Sequence, residues 1–399
     1  MSRQFDSVLV VGPEFGVGVD GSYRPGGLAQ FSRCVLRILA SSADVGHLTA
    51  WGLLDSQEGL EWMSRHYLSN GTPSTGTIRV QGFAGDRRRL ALHFLARHRG
   101  YDLVMFLHIG VGRLAVLRPV GRTSLWLVGI EVRRELRWYE RFAIRRADPL
   151  LSISTFSSDE MRRHNPTLPS ARTVHLCVEP DEAWLGRDHQ VKAPETYRAA
   201  TRAPAVMIVA RQSALERYKG HDELIAAWPK VLARVPDAEL WVVGDGDDRQ
   251  RLEERARSAG DQVERQIRFI GKVAHDELLK LYATARVFSM PSAGEGFGLV
   301  FVEAMRYGLP CICSRDSSAE IVRHEETGLV VDQDRDAVAD ACIRLLTDHE
   351  LADRMSAAGR LRYAHEFTFD AMQTRLLRAL NLDLRSLQSD SRGVMARTP

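Results

Sequence analysis

Three observations predict an α/β protein built of two doubly wound, parallel-sheet domains. Short β-branched runs bounded by glycine alternate with longer amphipathic stretches in both halves, as βα units of a parallel sheet do. The chain has 399 residues and is 44% hydrophobic, enough for two cores when single domains usually hold about 100 to 200 residues. Between the halves, "LGRDHQVKAPETYRAATRAP" at 185–204 is polar, poor in apolar residues and proline-bearing, as a linker is. The expected domains are 1–190 and 200–363.

In the first half the strands are "SVLVVG", "DLVMFLH", "SLWLVG" and "PLLSIS"; in the second, "AVMIVA", "ELWVVG", "QIRFIG", "VFSMP" and "PCICS". The first long helix opens at "PGGLAQF" with Gly26 and Gly27. His108 ends the "DLVMFLH" strand on its carboxyl side, where open α/β sheets carry functional groups. A helix is predicted over 275–285 with Asp276 as its N-cap, and another over "LRYAHEFTFDAMQTRLLRALNLDL". The tail at 385–399 has too little apolar content to order itself.

The stretch "EGFGLVFVEAMRYGLP" at 295–310 concentrates the chemistry. It reads as loop, helix, turn: the helix starts near Gly298, Gly308 is its C′ residue and Pro310 prevents continuation. A helix N-terminus beyond the carboxyl end of a parallel strand offers free N–H groups to phosphate, and Gly296 and Gly298 allow close backbone approach. Glu295 falls in the loop and Glu303 on the helix, so the two carboxylates do separate work. A carboxylate only accepts hydrogen bonds, and vicinal sugar hydroxyls are its natural donors beside a phosphate. Two polyols joined by a diphosphate held on the amides around Phe297, Gly298 and Leu299 describe a nucleotide sugar; a helix-terminal charge plus a buried capping glutamate reads equally well from spacing alone.

Charge is uneven: residues 1–190 carry 24 Arg and no Lys against 19 acidic residues, within a net charge of +3 for the chain. That excess is too weak to argue for nucleic acid. The helical pattern "EVRRELRWYERFAIRRADP" at 131–149 interleaves six Arg with Leu136, Trp138, Tyr139, Phe142 and Ile144. It reads as a helix packed on its domain or as a face for peripheral association with an anionic membrane. Five cysteines without paired spacing fit a reducing cytoplasm, with neither disulfide framework nor zinc site. Apolar "VLVV" begins within eight residues of Met1, leaving no room for a signal peptide, and no apolar run is of membrane-spanning length. A cytoplasmic protein is expected, resting at most on the inner face of a membrane.

Metal is not implied. The Asp-x-Asp in "DGDD" at 245–248 follows a strand and precedes a helix, which makes it a turn with N-caps. In "DQDRDA" at 332–337, Ala337 stands where a calcium loop needs glycine. "VGPEFGVGVDG" lacks the GxGxxG spacing of dinucleotide redox enzymes.

"EGFGLVFVEA" resembles the paired-glutamate signature of retaining glycosyltransferases of the GT-B fold, glycosyltransferase family 4. "ARQSALERYKGHDELIAAW", "VPDAELWVVGDGDDRQRLEERA", "IRFIGKVAHDELLKLYATARVFSMPS" and "SSAEIVRHEETGLVVD" are similar to the family's consecutive blocks over about 205–332. The first half is similar more loosely. The resemblance implies two Rossmann-like domains facing across a cleft, with a final helix at about 364–382 packed back on the first. It implies that Arg211 and Lys219 neutralise the diphosphate, Glu295 contacts the donor sugar, Glu303 the ribose, and the turn with Val273 the base. Gly26 and Gly27 match a glycine pair near the diphosphate, His108 matches a histidine that is either base or donor contact, and Glu131 is a weaker candidate. The acidic neighbour that many members place beside that histidine is missing from "IGVGRLAVL".

The expected function is transfer of a hexosyl unit from a nucleotide-diphosphate sugar to a hydroxyl acceptor, saccharide or lipid-linked, without cofactor or metal, in polysaccharide or glycolipid assembly. A sugar-nucleotide epimerase of the same fold and a non-catalytic sugar-nucleotide-binding protein are the alternatives.

Overall fold

Strand β1, Phe5–Gly12, carries four successive buried apolar residues, Val8 to Val11. A strand without alternation has both faces covered, and β1 lies inside an all-parallel sheet. The other strands of that sheet are β2 (Val45–Gly52), β3 (Thr77–Gly82), β4 (Leu103–Phe106), β5 (Arg122–Leu127), β6 (Leu150–Ser152) and β7 (Arg172–Thr173), in the order β3-β2-β1-β4-β5-β6-β7. Val10 stands beside Ala50 on one side and Met105 on the other. A second parallel sheet comprises β8 (Ala205–Val209), β9 (Glu239–Val243), β10 (Ile267–Gly271), β11 (Val287–Met290), β12 (Cys311–Ser314) and β13 (Gly328–Val331), in the order β10-β9-β8-β11-β12-β13.

The computed structural model describes residues 5–18, 26–68, 77–117, 121–180 and 197–382. The chain divides into two units, Met1–Arg187 with Thr368–Pro399, and Asp188–Phe367. Each is α/β with a parallel sheet, as the alternation of runs predicts. In the first unit Leu9, Val11, Val104, Phe106, Leu125 and Leu127 share one core with Trp51 and Phe94. In the second, Val206, Ile208, Leu240, Val242 and Phe288 are buried on the central strands. Among the described residues, no helix is long and apolar enough to cross a membrane.

Three sequence expectations are corrected. The helix His275–Thr284 has Ala274 as N-cap, and Asp276 lies inside its first turn, at the positive end of the dipole. The final stretch is two helices, His349–Glu366 and Phe369–Ala379, because Thr368 accepts a hydrogen bond from the Ala371 N–H at 3.3 Å and starts a new helix. Only the second belongs to the first unit. There Met372, Leu376 and Leu377 are fully buried, Gln373 donates to Ser41 at 2.9 Å and Arg172 donates to the Ala379 carbonyl at 2.8 Å. Third, the described end of the expected linker, 197–204, is packed structure: Arg202 is buried and donates to the carbonyls of Tyr282, Ala285 and Tyr307. The rest of that linker and the tail at 385–399 lie outside the described residues.

Candidate active site

In the second unit the strand order reverses between β8 and β11. In open α/β sheets, ligands bind beyond the carboxyl ends of the strands at such a reversal. The β8 connection carries Arg211 and Lys219, and the β11 connection carries Glu295, Phe297 and Gly298. The two are tied together. Gly220 has φ +91°, and a Cβ there would stand 2.6 Å from the Pro291 carbonyl oxygen, so only glycine permits the approach. The Ala293 N–H donates to the Tyr218 carbonyl at 2.9 Å, and Gln333 donates to the same oxygen at 3.3 Å.

This contact delivers Lys219 Nζ to 2.6 Å from Glu295 Oε2, with the two side chains only 16% and 15% exposed. Burial draws the Lys219 ammonium down, but the Glu295 charge and its hydrogen bond outweigh that and raise it above its ordinary range. The lysine is therefore a fixed cation. Arg211, 71% exposed on its side chain, lies 3.3 Å from Glu216. His221 is buried, and burial pushes it down to about 4, so it stays neutral and adds no third cation.

The segment Ala214–Lys219 is anchored from below. Arg217 donates to Asp248 at 2.9 and 3.2 Å, and Arg251 donates to Asp248 and, through both terminal nitrogens at 2.8 Å, to Asp222. Hydrogen bonds from Arg251, against burial, bring Asp248 down to about 2. Asp247 accepts the Ala214 N–H at 3.0 Å and Asp245 that of Gly246 at 2.9 Å. The carboxylates of "DGDD" thus serve the loop and its arginines. Asp248 occupies the N-cap position of Arg249–Ser258 without capping it through its side chain. In "DQDRDA", Asp334 caps Arg335–Thr347 by accepting from Asp336 and Ala337.

The helix Leu299–Arg306 begins at Gly298, φ +94°, with no side-chain cap. A Cβ at Gly298 would meet the Phe301 ring at 2.7 Å. First-turn N–H groups of an uncapped helix suit an anion. Phe297, expected among the binding residues, buries its ring to 2% exposure with an edge contact on Phe367, so what it offers a ligand is backbone. Leu299 is buried likewise. Glu303 accepts the Tyr282 hydroxyl at 3.0 Å; burial pushes it up to about 7, against the opposing pull of that bond and of Arg306. Val273 sits half-buried in the turn after β10.

Two residues escaped the sequence reading. Buried Asp316 accepts the Glu295 N–H at 2.8 Å, and Ser317 donates its hydroxyl to the Glu295 carbonyl. Burial holds the Asp316 carboxyl above its ordinary range.

In the first unit the reversal lies between β1 and β4. His108 follows β4 and caps the helix Ile109–Gly112, its Nδ1 accepting the Gly110 N–H at 2.8 Å. The neutral ring then carries its proton on Nε2. The β1 connection is held by Asp55, which accepts from Phe15 and Gly16 at 2.9 Å, and by buried Arg33, which donates to the Phe15 carbonyl and to Glu179 at 2.7 Å. Gly26 is the uncapped N-cap of the helix Gly27–Ser41, with open space where a Cβ would stand. Glu131 accepts the Val128 N–H at 2.8 Å and so closes its own turn.

Of the basic stretch expected to be helical over 131–149, only Trp138–Arg146 is α-helix; Ile130–Val132 is a single 3-10 turn and 133–137 is non-helical. Trp138 is 66% exposed and Phe142 38%, while Leu136, Ala143 and Ile144 are buried. Arg141 and Arg145 share the outer face with Trp138 and Phe142 by helical spacing. Glu140 is turned inward and bound by Arg134 at 2.8 and 3.0 Å.

Residues 203–348 match the family of glycosyl transferases group 1. The chain is 35% identical over 249 residues to a GDP-mannose-dependent alpha-(1-6)-phosphatidylinositol monomannoside mannosyltransferase of Mycobacterium tuberculosis, covering 59% of this chain and 63% of that protein, which is under two thirds of the relative's length. It is 34% identical over 266 residues to the protein of the same name from Mycolicibacterium smegmatis, covering 62% of this chain and 68% of the relative. Among solved structures, the sucrose-phosphate synthase of Thermosynechococcus elongatus superposes with a TM-score of 0.70 at 23% identity, covering 94% of this chain and 98% of that one. The two parallel-sheet units are those of the GT-B fold, and the chain belongs to the glycosyl transferase group 1 family.

Proposed function

We propose that the protein is a glycosyltransferase moving a hexosyl unit from a nucleoside diphosphate sugar to a hydroxyl acceptor, with retained anomeric configuration as its family resemblance implies. One observation carries this reading: Lys219 and Glu295, from the two connections at the strand-order reversal, meet at 2.6 Å in the connection that leads into an uncapped helix N-terminus. Cation and amides suit the diphosphate, and the carboxylate suits a sugar hydroxyl. In the reaction the bond from C1 to the diphosphate oxygen breaks and its electron pair stays on the diphosphate. The acceptor oxygen bonds to C1 and its proton passes to the departing phosphate or to water. Negative charge grows on the leaving group, and Lys219, with Arg211, stabilises it most when that charge is complete. Glu303 is assigned to the ribose hydroxyls, and His108, through Nε2–H, to a substrate hydroxyl.

The relatives' names favour GDP-mannose as donor and a glycolipid as acceptor. An acceptor of that kind sits at a bilayer, and the outer face of Trp138–Arg146 combines apolar rings with arginines suited to anionic headgroups. Calorimetry with GDP-, UDP- and ADP-sugars, followed by NMR of the product's anomeric proton, tests the assignment. Binding of at least one, with transfer and retention, is expected; binding of none removes the reading, an inverted product removes retention, and conversion of donor alone to an isomer replaces transferase by epimerase. For the membrane face, flotation with phosphatidylglycerol vesicles should exceed that with phosphatidylcholine, and equal flotation would refute it.

A further inference from the structure

Glu295 is held by its backbone from both sides, and neither partner lies on its own connection. Asp316 and Ser317 follow β12, the strand next to β11. One oxygen of Asp316 accepts the Glu295 N–H at 2.8 Å; the other accepts the Ser318 N–H at 2.9 Å and the Ser318 hydroxyl. Ser317 donates to the Glu295 carbonyl. Asp316 is 5% exposed, and Ser317 and Ser318 are fully buried. A buried carboxylate is costly unless its hydrogen bonds are made, so this one is committed to the two backbone segments it joins.

We infer that Asp316 and Ser317 are positioning residues for Glu295, fixing the peptide from which its carboxylate reaches the donor sugar. The inference rests on the reading of Glu295 as the sugar contact. The clamp sets where the Glu295 Cα sits and which way its side chain leaves, while Lys219, from the other connection, sets where the carboxylate ends. Loosening the clamp leaves the Lys219 cation and the helix amides in place for the diphosphate, so its loss is felt at the sugar and in the transfer step. Asp316→Asn is isosteric but turns an NH₂ toward one of the two N–H groups now accepted.

The test is a cycle of Asp316→Asn, Glu295→Gln and the double variant, with GDP and GDP-mannose, or UDP and UDP-glucose, as probes. Each of Asp316→Asn and Glu295→Gln is expected to hold affinity for the nucleoside diphosphate within about twofold and to lower kcat by about tenfold or more, and the double variant to match Glu295→Gln within about twofold. Ser317→Ala gives a milder second readout should Asp316→Asn unfold, and Ser317→Thr, which keeps the hydroxyl, should restore most of the rate. Equal loss of affinity for diphosphate and sugar nucleotide, or effects of Asp316 and Glu295 that multiply in the double variant, would overturn the positioning role alone. Wild-type protein that binds no nucleoside diphosphate would overturn the proposed function and this inference together.

Discussion

Tyr282 donates its hydroxyl to Glu303 at 3.0 Å, and this one bond does not offset the burial that lifts the carboxyl to about 7. A carboxylate in that position has room for further donors, and the ribose proposed for it would supply them. Ionised Glu303 is the form that accepts two hydroxyls, so affinity for a sugar nucleotide should fall as pH drops through about 7. Between about pH 8 and about pH 6 the ionised fraction changes roughly tenfold, and Kd should rise by about that factor. Calorimetry across this range checks it, and Glu303→Gln should flatten the profile.

The same residue makes a stability prediction of opposite sign. Its folded-state pKa lies above its unfolded value, so its contribution is present below about 4.5 and is lost as pH rises through about 7. Glu303→Gln should therefore stabilise the fold at about pH 8, by on the order of 3 kcal/mol, and have little effect at about pH 4.5. Thermal melts at the two pH values separate this from a uniform effect.

Lys219 and Glu295 should part company under mutation. Lys219→Ala removes the buried cation that the proposed function assigns to the diphosphate and leaves Glu295 without that partner, so nucleoside diphosphate binding should weaken by about 10- to 100-fold. Glu295→Ala should leave nucleoside diphosphate affinity near wild type while transfer falls severely. Calorimetry with the diphosphate alone, beside a transfer assay, distinguishes the two patterns.

At His108 the Gly110 N–H occupies Nδ1, leaving Nε2–H to donate. A glutamine amide reproduces an Nε2 donor and an alanine does not. His108→Gln should retain about tenfold more activity than His108→Ala, whereas equal loss in both would mark the imidazole as a base. Steady-state rates of the two variants decide it.

Much of this site is legible along the chain because its groups are close in sequence. Glu295, Gly298, Glu303 and Gly308 punctuate one loop–helix–turn, and the helix runs as that punctuation requires. What the chain hides is set by neighbours across the sheet. Asp316 lies 21 residues from Glu295 and meets it only because β11 and β12 pair. The burial of the Phe297 ring is likewise set by a distant residue, Phe367, and leaves its backbone as the part that can face a ligand. Strands β2 and β3 are obscured by His47, Thr49, Arg79 and Gln81, which break the apolar runs, while β7, at two residues, is too short to signal.

Removing Thr368–Pro399 should be far costlier than trimming a terminus. Met372, Leu376, Leu377 and Leu380 are fully buried, and at about 1.5–3 kcal/mol each their gross contribution is comparable with a domain's whole stability. The shortened protein should bind a hydrophobic dye and lose cooperative melting of the first unit. Leu376→Ala alone should cost about 2–5 kcal/mol in a denaturant titration.

Because the helix Phe369–Ala379 belongs to the same unit as β1, the unit whose translation begins earlier of the two cannot finish folding until the other has been made. Throughout synthesis of the intervening residues, its nascent form carries an apolar face awaiting a segment not yet translated. Chaperone occupancy during translation should concentrate there, and a stop codon placed just before Thr368 would release an intact second unit beside an incomplete first one.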